Sequence, residues 1–374
     1  MWRPKQRSSL GYLGIFPDKL FAGYKNYVPD LKADEFSMYF PKTNAAFDYC
    51  NDAKFFLAYK DDEIAGRVCA INSKESNKKW GTKSIRFSRL DFIDDKEVSA
   101  ALIGAVENWA KEIGLSEIHG PLGFSDLDKE GLQIEGFEYD GLSFTINNYP
   151  YYKEHLEALG FTKATDWLEY RITTPQKDDP IVKKMDRMAE LVLKRTKLRL
   201  LEIKRMSQAS KIVIQIFDLL NECYKELYGV VPYNQHQAIE YYNRFKPLLN
   251  PKYAKFIIDS EGKLVGFGLA APSLNKCLRQ NKGRLFPFGF ISILKAIKNV
   301  EILDLYLIAV HPKYQSSGLP AVLMNAVMKS AVEGGVKFAE TGPELETNDK
   351  IQSLWKFFEV INTKRRRCFI KNID

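Results

Sequence analysis

Metal chemistry has little to draw on in this sequence. Four histidines (His119, His155, His236, His311) and five cysteines (Cys50, Cys69, Cys223, Cys277, Cys368) stand far apart, with no CxxC pair and no HExxH. That spacing gives a zinc ion no ordinary ligand set, and no metal is expected. An odd number of scattered cysteines suits a reducing cytoplasm better than a disulfide framework. No apolar run approaches the ~20 residues that a membrane-spanning helix needs. The start, Met1-Trp2-Arg3-Pro4-Lys5, is basic but lacks an apolar core and a cleavage site, so it does not read as a secretion signal. The expected location is therefore the cytoplasm. RNP aromatic motifs and zinc-finger spacings are absent too, and no nucleic-acid partner is expected. Neither a P-loop nor a GxGxxG dinucleotide motif occurs.

What is present is ordinary globular composition, 45% hydrophobic and 27% charged. A chain of 374 residues exceeds what one core usually serves, which predicts two domains. The net charge of +8 suits a polyanionic partner, such as a nucleotide cofactor or an anionic membrane surface. Solubility alone is the plainer reading of that charge.

The chain is written twice. Ala53-Lys54-Phe55-Phe56 and Glu63-Ile64-Ala65-Gly66 read like Ala254-Lys255-Phe256-Ile257 and Lys263-Leu264-Val265-Gly266, each a hairpin with a charged turn. A helix, a glycine turn and a strand ending in Gly-Pro also recur, at Gly120-Pro121 and Gly342-Pro343. Leu159-Gly160-Phe161-Thr162-Lys163 matches Val360-Ile361-Asn362-Thr363-Lys364, and each copy closes on a final strand. The second copy is the longer one before Gly-Pro and the first copy the longer one after it. Such insertions usually lie in surface loops and carry what distinguishes two copies.

Asp178-Asp179-Pro180 opens a helix with acidic capping and proline in the first turn. The expected division is residues 1–175, a connecting helix in 176–197, and a second domain in 198–374 opening with a strand from Leu198 to Ile203. The first copy's equivalent strand would precede Met1, so that domain lacks it or replaces it with Leu10 to Phe16.

In the second copy, Val300 to Val310 reads as a strand. His311-Pro312-Lys313-Tyr314-Gln315-Ser316-Ser317-Gly318-Leu319-Pro320 follows, then a helix. Strand, small-residue turn and helix N-terminus together make an anion site. The matching stretch of the first copy, Phe92 to Val98, has no glycine and is acidic, so it repels phosphate.

These residues resemble the GNAT superfamily of N-acyltransferases, whose signature is a strand, Val-x-Pro, then Arg/Gln-x-x-Gly-x-Gly/Ala opening a helix. Val310-His311-Pro312 and Gln315 to Pro320 fill those places. The whole chain is similar to a bacterial group of tandem GNAT-like proteins. The resemblance implies an α/β fold of two such domains, each a mixed, mostly antiparallel sheet flanked by helices. It further implies that the amides of Ser316, Ser317, Gly318 and Leu319 hold the diphosphate of acetyl-CoA or a longer acyl-CoA. The site would lie where the strand ending at Val310 splays from that of Lys337 to Glu340. Asn348 matches an asparagine near the pantetheine arm, and Trp355 stands where many members carry a tyrosine. Two departures stand out: Pro320 has no N–H to offer, and an indole cannot act as a general acid at neutral pH.

Amine acylation needs a base for the ammonium proton and donors for the oxyanion, expected near Ile308 to Val310. The acids near the implied cleft are Asp304, Glu340 and Glu346, with Glu340 preferred; Tyr306 shares a face with Asp304. Each is also readable as a solvated or paired side chain. Tyr233 and His236 are acceptor-contact candidates in a loop over the acceptor side, or simply loop packing. Lys364-Arg365-Arg366-Arg367 reads as a solvated strand edge, or as steering for acyl-CoA phosphates. Residues 285–298 are rich in Phe and Ile behind Lys276, Arg279, Lys282 and Arg284, which suits a peripheral contact with the inner membrane face, or a helix packed on the protein. A lipid amine acceptor or a long acyl donor would follow from the first. The alternative to an enzyme is a GNAT-fold binding or scaffold protein without chemistry.

Overall fold

The computed structural model describes residues 8–373, so Met1 to Lys5 lie outside the described residues. Local sequence accounts for most elements. In the first hairpin, β1 (Cys50–Lys60) turns into β2 (Glu63–Ser73) through Asp61 and Asp62. Both aspartates take positive φ, 51° and 62°, the left-handed turn that matches strand twist. The chain continues through β3 (Ser84–Phe92), β4 (Glu117–Gly120), β5 (Leu132–Glu135) and β6 (Thr162–Thr173). The helix Lys96–Glu112 covers this half, its start capped by Asp95, which accepts from the amides of Glu97 and Val98.

The linking helix Pro180–Thr196 starts on a capping aspartate, Asp179, and a first-turn proline. It leads to β7 (Arg199–Leu201), β8 (Ala254–Ile258), β9 (Leu264–Pro272) and β10 (Ile302–Val310). The helix Leu319–Gly334, β11 (Phe338–Thr341), β12 (Glu344–Leu345) and β13 (Val360–Asn372) complete the chain. The segment from Leu10 to Phe16 is not a substitute strand. It lies in the helix Ser8–Leu20, and β1 ends the sheet on that side.

The strands form one sheet in the order β1-β2-β3-β4-β13-β6-β11-β10-β9-β8-β7, with β12 beside β6 and β5 beside β13. β3 pairs parallel with β4, β10 parallel with β11, and the remaining pairs are antiparallel. The two halves have exchanged their last strands. β13, from the end of the chain, pairs with β4, while β6 pairs with β11. Phe369 and Ile373 accordingly bury in the core made by β2, β3 and the helix Lys96–Glu112. Full burial of a side chain such as Phe369 is worth about 1.5–3 kcal/mol, so the C-terminus helps to hold the first half together.

The exchange decides the fate of the run Lys364 to Arg367. It is neither a solvated edge nor a phosphate-steering surface, because β13 is a central strand. Lys364 and Arg366 point to one face and are buried against Glu169 of β6. Arg365 and Arg367 point to the other and pair with Asp166, at 3.2 and 2.8 Å. A charge is tolerated in such a place only when it is paired and hydrogen-bonded.

Candidate active site

β10 and β11 run together only from Ile302–Phe338 to Leu305–Thr341. Beyond that pair the strands diverge, and Gly342 N–H still reaches the Leu305 carbonyl at 3.0 Å. On its other side β10 carries a bulge between Leu305 and Leu307, at Tyr306 rather than at Ile308 to Val310. The Ile308 carbonyl accepts from Tyr224 Oη at 3.0 Å, and that of Val310 from Gln315 Nε2 and Cys223 Sγ, both at 3.2 Å. These carbonyls point away from β9. A strand turns a residue's N–H and C=O to the same side, so the amides of Ile308 and Val310 also face the splay.

The turn after β10 differs in detail from the expected cradle. Pro312–Ser317 is a 3-10 segment, in which amides turn back toward the carbonyl three residues earlier. That geometry turns the Ser316 and Ser317 amides toward the chain itself. Ser317 is further tied down: its hydroxyl donates to the Tyr314 carbonyl at 2.6 Å, and its own carbonyl accepts from Arg195 at 2.7 Å. Gly318 then takes φ 90°, where a side chain is strained and where a Cβ would stand 3.0 Å from Val192 of the linking helix. The helix begins at Leu319, whose side chain is buried in the core. Its first amide with a helical acceptor is Val322, bonded to the Gly318 carbonyl at 3.3 Å. Helix geometry therefore leaves the N–H groups of Leu319 and Ala321, with Gly318 beside them, as donors at a positive dipole end. Pro320 between them has none. Lys350 approaches from the opposite wall, its Nζ 3.5 Å from Gln315 Oε1. This set fits a diphosphate.

A cavity of about 1550 Å³ runs from this turn along the splay and into the contact between the two halves. Val310, Gln315, Ser316, Gly318, Asn348, Trp355 and Tyr306 line it, and Ser317 and Leu319 do not. Asn348 caps the short helix Asp349–Gln352, and the Tyr306 ring packs tilted against Phe144 of the first half, centroids 4.5 Å apart. The loop candidates lie elsewhere. Tyr233 is buried between Phe217 and Tyr241, and His236 is exposed and bonded to Asp48 at 2.9 Å. Neither lines the cavity.

The preferred acids are also displaced from it. Asp304 and Glu340 are register partners on the paired part of β10 and β11, both buried, and neither lines the cavity. Arg171 of the exchanged strand β6 holds Glu340 Oε1 at 2.6 and 2.8 Å. Burial, helped by the Glu340 charge, pushes Asp304 up to about 8. Glu346 pairs with Lys163 and Arg365, at 2.5 and 3.2 Å. Among the acids near β10 and β11, Glu344 of β12 does line the cavity. Burial pushes it up to about 8 against the opposing pull of Trp355, whose indole N–H donates to both carboxylate oxygens at 3.1 Å. The sequence signal for Glu344 is its place directly after Gly342-Pro343, where the first copy has Leu122.

Residues 213–358 match the Acetyltransferase (GNAT) family. Over 365 residues the chain is 27% identical to Protein YghO of Escherichia coli (strain K12), covering 96% of this chain and 91% of that protein. It is 25% identical over 339 residues to the Bacterial ceramide synthase of Caulobacter vibrioides (strain NA1000 / CB15N), covering 89% and 86%. Among solved structures, a tandem GNAT protein from the clavulanic acid biosynthesis pathway superposes with a TM-score of 0.52 at 11% identity, covering 97% of this chain and 95% of that one. The last is a likeness of fold.

Proposed function

We propose that the GNAT acetyltransferase domain matched by residues 213–358, set in its tandem fold, moves an acyl group from acyl-CoA to the amine of an acceptor with a long apolar body. The observation that carries this reading is the continuity of one cavity from the Gly318 turn, past the splay and Glu344, to a wall of Phe217, Tyr242, Phe245, Leu248 and Leu249. Its volume exceeds the roughly 300–1,000 Å³ of ordinary small-molecule pockets. Residues 198–374 would be the catalytic half. Residues 1–175 would be a partner that lost its own anion turn and now walls the acceptor side, joined through 176–197.

The donor would lie with its diphosphate on the amides of Gly318 and Ala321 and its arm passing Asn348, and it would supply an activated thioester. The Ile308 and Val310 amides face the place where negative charge develops on the thioester oxygen. Glu344, with a pKa near the working pH, takes the ammonium proton. Trp355 positions that carboxylate and gives no proton to the leaving thiolate. A lipid amine fits the apolar wall, and the ceramide synthase relative points the same way.

The segment 285–298 supports a membrane-facing role for this end of the cavity. In the helix Gly289–Lys298, Ile293 packs against Leu274, Leu278 and Val28. Phe286 and Phe288 stay 76% and 73% exposed, with Lys282, Arg284, Lys295 and Lys298 exposed around them. Leu248 lines the cavity and also packs on this cluster. Exposed aromatics ringed by cations match an anionic lipid surface. No helix among the described residues is long and apolar enough to cross a membrane, so the contact would be peripheral.

Calorimetry with acetyl-CoA and palmitoyl-CoA tests the reading, and failure of both to bind would remove it. A binding protein without chemistry is the second reading, favoured by Pro320 and Trp355. It would be preferred if palmitoyl-CoA bound but no long-chain amine were acylated.

A further inference from the structure

The loop 121–131 between β4 and β5 is part of what lengthens the first copy after Gly120-Pro121, and it does not stay on its own half. Its ends close through Gly131 N–H on the Pro121 carbonyl at 3.0 Å, the geometry of a compact loop packed by its own side chains. Ser125 Oγ lies 2.7 Å from Tyr241 Oη of the second half, and Leu127 packs into that half's core. The loop thereby puts Asp126 and Glu130 on the wall of the cavity described above.

These two acids differ from Asp128 and Glu344 on that wall. Asp128 is tied to Arg89 at 3.4 Å, and Glu344 is held by Trp355. Glu130 is 8% exposed, yet its Oε1 has no hydrogen-bond partner. Asp126 makes no ion pair among the described residues. The cations whose charge reaches them are engaged elsewhere. Arg86 donates to the carbonyls of Gly123 and Gly229 and to Ser76, and Lys79 to the Val230 carbonyl. A carboxyl oxygen left unpartnered in a buried wall is destabilising, and a ligand donor would relieve it.

We infer that Asp126 and Glu130, delivered by the first half, form the subsite that recognises the ammonium group of an amphiphilic primary amine in the second half's cavity. This rests on the acyl-transfer reading for its place in a reaction, though not for the binding itself. Burial pushes Asp126 up to about 6 and holds Glu130, beside it, well above the usual carboxylate range. Tyr224, at the splayed strand, feels the charges of both Asp126 and Glu344. Asp126, Glu130 and Glu344 line the same cavity.

The test is calorimetric binding of decylamine, decanol and N-decylacetamide to the full chain, beside palmitoyl-CoA. Wild type should prefer decylamine over both neutral ligands by tenfold or more. The variant D126N/E130Q should lose that preference and bind palmitoyl-CoA within twofold of wild type. A preference that survives in the double variant, or equal binding of the three ligands to wild type, overturns the subsite. Should the double variant not fold, D126N alone and the wild-type comparison decide in the same way. Loss of palmitoyl-CoA binding in wild type, with the ammonium preference intact, would sink the acyl-transfer reading and leave the subsite standing.

Discussion

Arg366 and Glu169 meet in the middle of the molecule, each fully buried, on strands from the two different halves. Lys364 joins them on the same face, 3.2 Å from the same carboxylate. Burial alone would raise Glu169, and the two cations bring it below its ordinary value instead. Because β6 and β13 are exchanged, this cluster ties the folding of one half to the other.

Glu169→Gln should therefore be costly, since it leaves two buried cations facing a neutral side chain. A loss of about 3–5 kcal/mol is expected, read as a fall in the urea midpoint. The wild-type chain should also unfold in a single transition. Two separated steps, each assignable to one half, would show that the exchanged strands do not couple them.

Asp304 gives a pH dependence of the opposite kind. Its folded pKa, about 8, lies above the ordinary carboxylate value because of burial. The unfolded chain releases this proton first, so stability falls as pH rises from about 4 to about 8, by up to about 1.4 kcal/mol per pH unit for this one group. Asp304→Asn, neutral throughout, should flatten that decline. Thermal midpoints equal to wild type near pH 4 and higher near pH 8 are expected. Parallel curves would contradict the assignment.

If Glu344 is the base, kcat/KM should rise with pH up to about 8, because only the carboxylate accepts a proton. Glu344→Gln should lower it by 10²–10⁴. Trp355→Phe keeps the packing but removes the indole donor that favours the ionised form. Its profile should move to higher pH. A profile unmoved by that substitution would leave Trp355 no positioning role.

Gly318→Ala places a methyl at φ 90°, against Val192, and strain of about 1–3 kcal/mol is expected. Because the strain falls on the turn that presents the amides, palmitoyl-CoA affinity should drop at least tenfold. Ser317→Ala is the control: its hydroxyl is bonded within the turn and it does not line the cavity. Equal loss in the two variants would show that the turn acts through folding alone.

Phe286→Ser with Phe288→Ser removes the two most exposed aromatics of the 285–298 segment. Flotation with anionic vesicles should fall several-fold while the thermal midpoint stays unchanged. Equal flotation would leave the apolar face without a lipid partner.

The hairpins, the linking helix and the strand-turn-helix at Gly318 were legible because each is a local pattern: apolar alternation, a capping acid with proline, a glycine ending a strand-to-helix turn. The doubled order of those patterns gave the tandem fold. The exchange of β6 and β13 was not legible, because two similar strands satisfy either partner and only three-dimensional proximity chooses. Lys364 to Arg367 misled for the same reason. A run of cations reads as exposed until Glu169 and Asp166 arrive from ~200 residues away in sequence to neutralise it.

At the site, Gln315 and Gly318 follow from the strand-turn-helix motif and Asn348 and Trp355 from the family resemblance, and all four line one cavity. Asp304 and Glu340 were chosen for proximity along the strands, and the pairing of β10 with β11 buried them away from the cavity. Glu344 lies beyond the divergence, where no periodicity says which way a side chain faces. Asp126 and Glu130 sit in a loop whose own residues say nothing about the half it enters. Short-range chemistry in the chain thus determined the elements and the strand-turn-helix at Gly318. Which strands pair, which charges are sealed inside and which acids face the cavity depended on contacts between distant segments, whose free energy no local pattern contains.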